Sequence, residues 1–212
     1  MSDAHDHLRE DPAIGPLIDE YGELELEPAG DFFERFVVSI VNQVISTEAA
    51  RTIRERLFEA FEVTPEALLA ADEAALRDVG LSPQKVSAIR NVAAWFYEED
   101  ITRERFTRMD DAAAIEELTD IGGVGDWTAK MVLMFGLGRA DVFPVEDLAV
   151  RRGMAMLYGG EGAGGGDAGG SELTRAEMRE RAERWAPYRS VATLYVWQCY
   201  VDENSTVERI VA

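Results

Sequence analysis

LTDIGGVGDWTAKMVLMFGLGRADVFPVEDLAVRRG, residues 118–153, is the stretch on which the reading of this chain turns. DAAAIEELTD (111–120) has the period of a helix ending near Asp120, and DWTAKMVLMFG (126–136) that of a second beginning near Asp126. Only IGGVG separates them, and two helices joined by so short a turn form a helix–hairpin–helix. Gly123 and Gly125 free the backbone for positive φ and leave no side chain above the turn. Their amides then face outward at a helix start, a setting that suits phosphate. A bare Gly-x-Gly also reads as a tight turn with no ligand; the whole IGGVGDWTA ahead of an apolar helix is more specific. Downstream, VFPVEDLAVRRG places Pro144 and Glu146 at the opening of a helix carrying Leu148, Met154 and Leu157. Asp147 falls in its first turn, where the helix dipole favours an anion by about 0.3–1 kcal/mol. On position alone Asp147 caps the helix; a chemical role requires a pocket.

The same period runs outward in both directions. Phe32, Phe36 and Ile40 recur every fourth residue, with Phe33, Val37 and Val41 beside them. Ala50, Ile53, Leu57 and Phe61 form a second stripe, and Val86, Ile89, Ala93 and Phe96 a third. Ser46, Thr64-Pro65 and Ser82-Pro83 are start signals, Thr174 with Glu177 fits a capping box, and Gly80 and Gly136 are stop signals. No pair of strands is evident, so the class is all-α with roughly ten helices. GGEGAGGGDAGG (159–170) is low in complexity and reads as a flexible surface loop, a tolerated insertion or a hinged lid. The first dozen residues are expected to fray, with His5 and His7 on a mobile tail rather than on a metal.

Composition sets the outer limits. The 212 residues are 47% hydrophobic and 29% charged, which suits a packed globular chain. No apolar run approaches the ~20 residues of a membrane span, and the acidic start, MSDAHDHLREDP, is no secretory signal. A cytoplasmic location follows. Cys199 is the only cysteine, which excludes a disulfide framework, a four-cysteine zinc site and a cysteine-held iron–sulfur cluster. The net charge is −20, and Lys85 and Lys130 are the only lysines, a balance that suggests a halophilic source. Such a charge opposes nucleic-acid binding, yet residues 121–153 carry four acidic residues (Asp126, Asp141, Glu146, Asp147) against four basic ones (Lys130, Arg139, Arg151, Arg152). A locally neutral face whose backbone amides hold phosphate is compatible with DNA in high salt.

Four blocks in order resemble the helix–hairpin–helix DNA glycosylase superfamily, and within it the 3-methyladenine DNA glycosylase II branch, over residues 30–200. They are SIVNQVISTEAARTI, LRDVGLSPQKVSAIRNVA, the opening stretch, and WAPYRSVATLYVW. The resemblance implies two helical subdomains with an active-site cleft between them. Residues 31–44 with 136–212 would form the first, and 45–135, carrying the hairpin near 111–136, the second; 1–30 would be a tail and lead-in. The larger bacterial members carry an additional N-terminal β-domain, and this chain looks like a minimal version.

The resemblance also assigns roles. Asp147 would be the catalytic carboxylate. Trp127, Trp197 and Met131 would line the base pocket. Gly123, Gly125, Asp126, Thr128 and Lys130 of the hairpin would hold DNA, as would Asn42, Gln43 and Val44, with Val44 in the position of the wedge that fills the gap left by an everted base. Carbonyls of Thr119, Ile121 and Val124 would hold a structural Na⁺ or K⁺; no other cofactor is required. Trp127 stands where bifunctional relatives carry a Schiff-base lysine, which points to a monofunctional enzyme; Lys130, one turn on, is not expected to replace it.

Everting the nucleotide exposes a bond otherwise hidden in the duplex, and an apolar wedge stabilises the gap. A fixed carboxylate then stabilises the oxocarbenium-like sugar and can activate water. Alkylated purines are cationic, and an indole face attracts them by about 0.5–2 kcal/mol. Without the resemblance, both tryptophans would read as core, as Tyr195 and Tyr200 do. Arg189 pairs with either a carboxylate or a phosphate. The resemblance implies double-stranded DNA with a damaged base as the partner, and a monomer is expected. The rival readings are a non-catalytic DNA-binding hairpin module and a bifunctional glycosylase/lyase.

Overall fold

The computed structural model describes residues 2–158 and 173–203; the glycine-rich 159–170, read above as a loop, lies outside them. Among the described residues the chain is all helix and turn, with no strand. The helices in chain order are α1 Ser2–Arg9, α2 Ile14–Tyr21, α3 Phe32–Val41, α4 Thr47–Ala60, α5 Pro65–Ala70, α6 Glu73–Asp78 and α7 Pro83–Glu99. There follow α8 Arg103–Phe106, α9 Asp111–Thr119, α10 Asp126–Met131, α11 Leu148–Tyr158, α12 Arg175–Ala182 and α13 Arg189–Glu203. None is long and apolar enough to cross a membrane. Start signals act as their chemistry dictates: Ser46, Thr64 and Ser82 each accept a hydrogen bond from the amide three residues on, and Thr174 with Glu177 closes a capping box.

The chain divides into two compact units, one of residues 28–138 and one of 1–27 with 139–212. The first is built on α7. Phe96 on that helix meets Phe32, Phe33 and Phe36 of α3 with ring centroids 5.6, 5.1 and 6.1 Å apart. Such pairs contribute about 0.5–1.5 kcal/mol each beyond the area they bury. This cluster corrects the expected boundary: α3 belongs with α7, not with the C-terminal third. α6 stops at Gly80, with φ +110°, as expected. Gly136 is the last residue of its helical run, as expected, but the form of that last turn was not. After α10 the backbone widens into a π-helical turn, Val132–Gly136, closed by Leu137 N–H donating to the Val132 carbonyl at 3.0 Å, and the chain reverses at Gly138, with φ +71°.

The second unit overturns the expected tail. Residues 2–27 include two helices whose apolar side chains Leu8, Ile14, Leu17 and Ile18 are buried. Tyr195 of α13 ties the following segment down, its hydroxyl accepting from Leu24 N–H at 2.8 Å and donating to the Gly22 carbonyl at 3.0 Å. His5 and His7 bond to the carbonyls of Leu24 and Arg184. Tyr195 is core as expected, whereas Tyr200 is half-buried and accepts from Arg152 at 3.1 Å.

Candidate active site

The hairpin joins α9 to α10 through residues 120–125. Gly123 adopts φ +94°, and a Cβ there would lie 2.4 Å from the Ala88 Cβ, so position 123 requires glycine on two counts. Gly125 differs from expectation: its φ is −107°, ordinary extended backbone, and it is the N-cap of α10. It contributes openness instead, since a Cβ would meet nothing within 4 Å, and it places no side-chain acceptor on the first-turn amides. Val124 N–H donates to the Ile121 carbonyl at 3.0 Å, and Asn91 Nδ2 donates to the Gly122 carbonyl at 2.9 Å. Asp126 is exposed, and Trp127 and Lys130 are half-buried.

Between α3 and α4 the chain turns through residues 42–46. Val44 has φ +50°, and its side chain is fully exposed. A β-branched residue in that region costs about 1–3 kcal/mol, and such strain persists only where neighbours impose it. Those neighbours are visible. Gln43 Nε2 donates to the Gly123 carbonyl at 3.0 Å and to Thr128 Oγ1 at 2.8 Å. Lys85 Nζ donates at 2.7 Å to the carbonyl of Val41, the last residue of α3. Asn42 is the half-buried C-cap of α3.

In the other unit, Asp147 sits immediately before α11, where its Oδ1 accepts from Val150 N–H at 2.9 Å. It therefore does cap the helix. The same Oδ1 accepts from Trp197 Nε1 of α13 at 3.0 Å. α11 and α13 approach closely because Gly153 has no side chain; a Cβ there would lie 2.6 Å from the Val196 carbonyl oxygen. The segment leading to Asp147 is pinned as well. Arg189 grips Asp141 with both Nε and Nη2, at 2.8 and 2.9 Å, which settles its partner as a carboxylate. Ser190 Oγ donates to the Arg139 carbonyl at 2.6 Å and accepts from Val142 N–H at 2.9 Å. Glu146 pairs with Arg179 at 3.6 Å.

One unit thus carries a glycine hairpin at a helix start and the other a doubly held aspartate, and the family match shows what they belong to. Residues 37–184 match HhH-GPD, described as a superfamily of base excision DNA repair proteins. The chain belongs to that superfamily. Among solved structures, an HhH-GPD-like fold is shared with the Schizosaccharomyces pombe 3-methyladenine DNA glycosylase in complex with abasic DNA (TM-score 0.81, 26% identity, 92% of this chain and 95% of that one). A Bacillus halodurans DNA-3-methyladenine glycosidase is 32% identical, with TM-score 0.74 over 94% of this chain and 89% of that one. The Escherichia coli DNA-3-methyladenine glycosylase 2 is 27% identical over 87% of this chain, a match that takes in 64% of that longer protein.

Within this HhH-GPD chain four of the residues expected on DNA or in the base pocket are buried or bonded inside the protein. Thr128 was expected on DNA, but it is 2% exposed and its hydroxyl accepts from Gln43. Gln43 commits its amide nitrogen to the hairpin. Met131 and Trp197, expected to line a base pocket, are 4% and 3% exposed, and the Trp197 indole N–H orients Asp147. Sequence reasoning gave no site role to Lys85 and Asn91, whose only signal was their six-residue spacing on one face of α7.

Proposed function

We propose that this chain is a monofunctional DNA glycosylase of the 3-methyladenine type, hydrolysing the N-glycosidic bond of alkylated purines everted from double-stranded DNA, with Asp147 as the catalytic carboxylate. The carrying observation is the double hold on Asp147 Oδ1 by Val150 N–H and Trp197 Nε1. A cap needs only the first. The second, from another helix, fixes the rotation of the carboxylate, as electrostatic catalysis requires. In the proposed reaction the bond between C1′ and the base nitrogen breaks with its electrons leaving on the base. A cationic alkylpurine departs neutral, and positive charge develops on the sugar beside Asp147. Water then adds to C1′, and its proton passes to Asp147 or to solvent.

The hairpin supplies grip and Val44 supplies the wedge. The exposed turn at Gly123 and Gly125, with Asp126 and Lys130 beside it, presents backbone amides to a DNA phosphate. A fully exposed Val44 in a strained conformation suits insertion into the base stack. The half-buried Trp127 is the indole available to a cationic base. It cannot form a Schiff base, and this makes the enzyme monofunctional.

A Na⁺ or K⁺ on the carbonyls of Thr119, Ile121 and Val124 fits the donor set. α9 ends at Thr119, in the last turn, where carbonyls outrun their intrahelical partners, and the Ile121 carbonyl keeps a lone pair beyond the one used by Val124. Such an ion would add positive charge beside the hairpin amides.

The test is single-turnover excision from duplex DNA carrying methylated purines. Free base should be released with no strand cleavage and no adduct on borohydride treatment. A trapped adduct defeats the monofunctional assignment; DNA binding with no release of any alkylpurine leaves only a binding module.

A further inference from the structure

We infer that Gln43 is a positioning residue for nucleotide eversion, latching the Val44 turn to the hairpin so that wedge and phosphate grip act as one preformed tool. The inference rests on the reading of Val44 as a wedge. Gln43 is the residue immediately before Val44, and both of its observed bonds end on the hairpin: the Gly123 carbonyl at 3.0 Å and Thr128 Oγ1 at 2.8 Å. A carbonyl oxygen can only accept, so the amide nitrogen must face Gly123. The two elements lie 80 residues apart in sequence at that contact, and a side chain looking like a DNA contact joins them.

One face of α7 supports both ends of the latch. Lys85, Ala88 and Asn91 follow at three-residue spacing, which keeps them on neighbouring positions of the helix surface. Lys85 Nζ holds the last carbonyl of α3, immediately before the turn. The Ala88 methyl fills the place that a Gly123 side chain would need, and Asn91 holds the Gly122 carbonyl. The turn is thus fixed from both sides while Val44 itself stands clear of the protein.

The consequence is specific. Val44 occupies the left-handed region against its own preference, so a released turn relaxes into extended backbone and withdraws the wedge. Loss of the latch therefore penalises work done on the base stack. A base already unstacked requires no such work.

The experiment compares the full chain with Gln43→Ala, Gln43→Glu, Thr128→Val and Val44→Ala. Substrates carry one 7-methylguanine, either paired with cytosine in a duplex or unpaired in a one-nucleotide bulge, and single-turnover rates are measured. Gln43→Ala is expected to lose about tenfold on the duplex, the scale of two lost hydrogen bonds, and under about twofold on the bulge. Gln43→Glu should lose at least as much, since a carboxylate repels the Gly123 carbonyl, and Thr128→Val less, with the same duplex-to-bulge contrast. Melting temperature, read in parallel, separates this from misfolding, because a misfolded chain loses both substrates alike. Equal losses on the two substrates, or no loss on the duplex, overturn the latch. If Val44→Ala also leaves the duplex rate unchanged, the wedge reading fails with it. If Val44→Ala loses duplex activity and Gln43→Ala does not, the latch alone fails.

Discussion

Asp147→Asn separates charge from geometry at the proposed catalytic residue. Oδ1 accepts from Val150 N–H at 2.9 Å and from Trp197 Nε1 at 3.0 Å. An asparagine oxygen can accept both, whereas its NH₂ group can accept neither, so the two donors dictate how the new side chain turns. Asparagine also caps helices about as well as aspartate. The stability cost is then confined to the lost charge at the start of α11, about 0.3–1 kcal/mol. The catalytic cost is larger. A unit charge ~4 Å from the sugar cation, at an effective dielectric of ~20, contributes about 4 kcal/mol. Each 1.36 kcal/mol is tenfold in rate, so base release should slow by about a thousandfold.

The assay is single-turnover release of 7-methylguanine from a duplex, with affinity for the same duplex read by fluorescence anisotropy and folding by denaturant titration. Affinity should stay within about threefold and the denaturation midpoint should barely move, because neither capping bond is lost. A rate within about tenfold of the original, in a folded variant that binds normally, refutes the electrostatic reasoning.

Three further perturbations probe the supporting structure. Trp197→Phe keeps most of the buried volume and removes the N–H that orients Asp147; single-turnover release should fall about tenfold with DNA affinity unchanged, and an unchanged rate reduces Trp197 to packing. Gly123→Ala places a Cβ 2.4 Å from the Ala88 Cβ at φ +94°, and should destabilise the chain by about 2 kcal/mol or more by denaturant titration; Ala88→Gly should restore only the steric part, and a neutral Gly123→Ala contradicts the hairpin geometry. Burial holds the Lys85 ammonium below its ordinary pKa, so between that lowered value and 10.5 the unfolded chain binds more protons and stability through this residue rises with pH. Lys85→Met removes that contribution, so the stability of the wild type relative to the variant should climb as pH approaches 10.5, and a flat or falling difference refutes it.

How far the sequence could be read depended on where each residue's partner lay. The hairpin was legible because its partners are local: two periodic helices and five residues between them. Asp147 could be placed by position only as a cap, and the resemblance supplied its role. Distant partners were illegible. Leu8, Ile14 and Ile18 belong to an acidic, polar segment that reads as a tail until Tyr195, 171 residues beyond Leu24, is seen to hold it. The same holds for α3, whose three phenylalanines show an apolar stripe in sequence but not that Phe96 receives them. Gln43 beside an exposed wedge presents one amide whether its acceptor is a base or Gly123. The π-helical turn after α10 has the composition of an ordinary helix, so the stop at Gly136 was legible and the widening before it was not.

The acidic charge and the proposed DNA chemistry are reconciled by where neutral donors stand. Of the four carboxylates between residues 121 and 153, Asp141 is clasped by Arg189 and Glu146 is paired with Arg179, so arginines from outside the stretch offset part of its negative charge. At the two proposed working points, backbone and indole N–H groups take part. Asp147 Oδ1 accepts from an amide and an indole, and neither of these two donors carries a charge. The cap at Gly125 places no side-chain acceptor on the first-turn amides, which under the proposed reading would hold phosphate and carry no net charge. With 41 acidic residues against 21 basic ones, pairing Asp141 and Glu146 with arginines lowers the negative charge that the proposed DNA chemistry would meet.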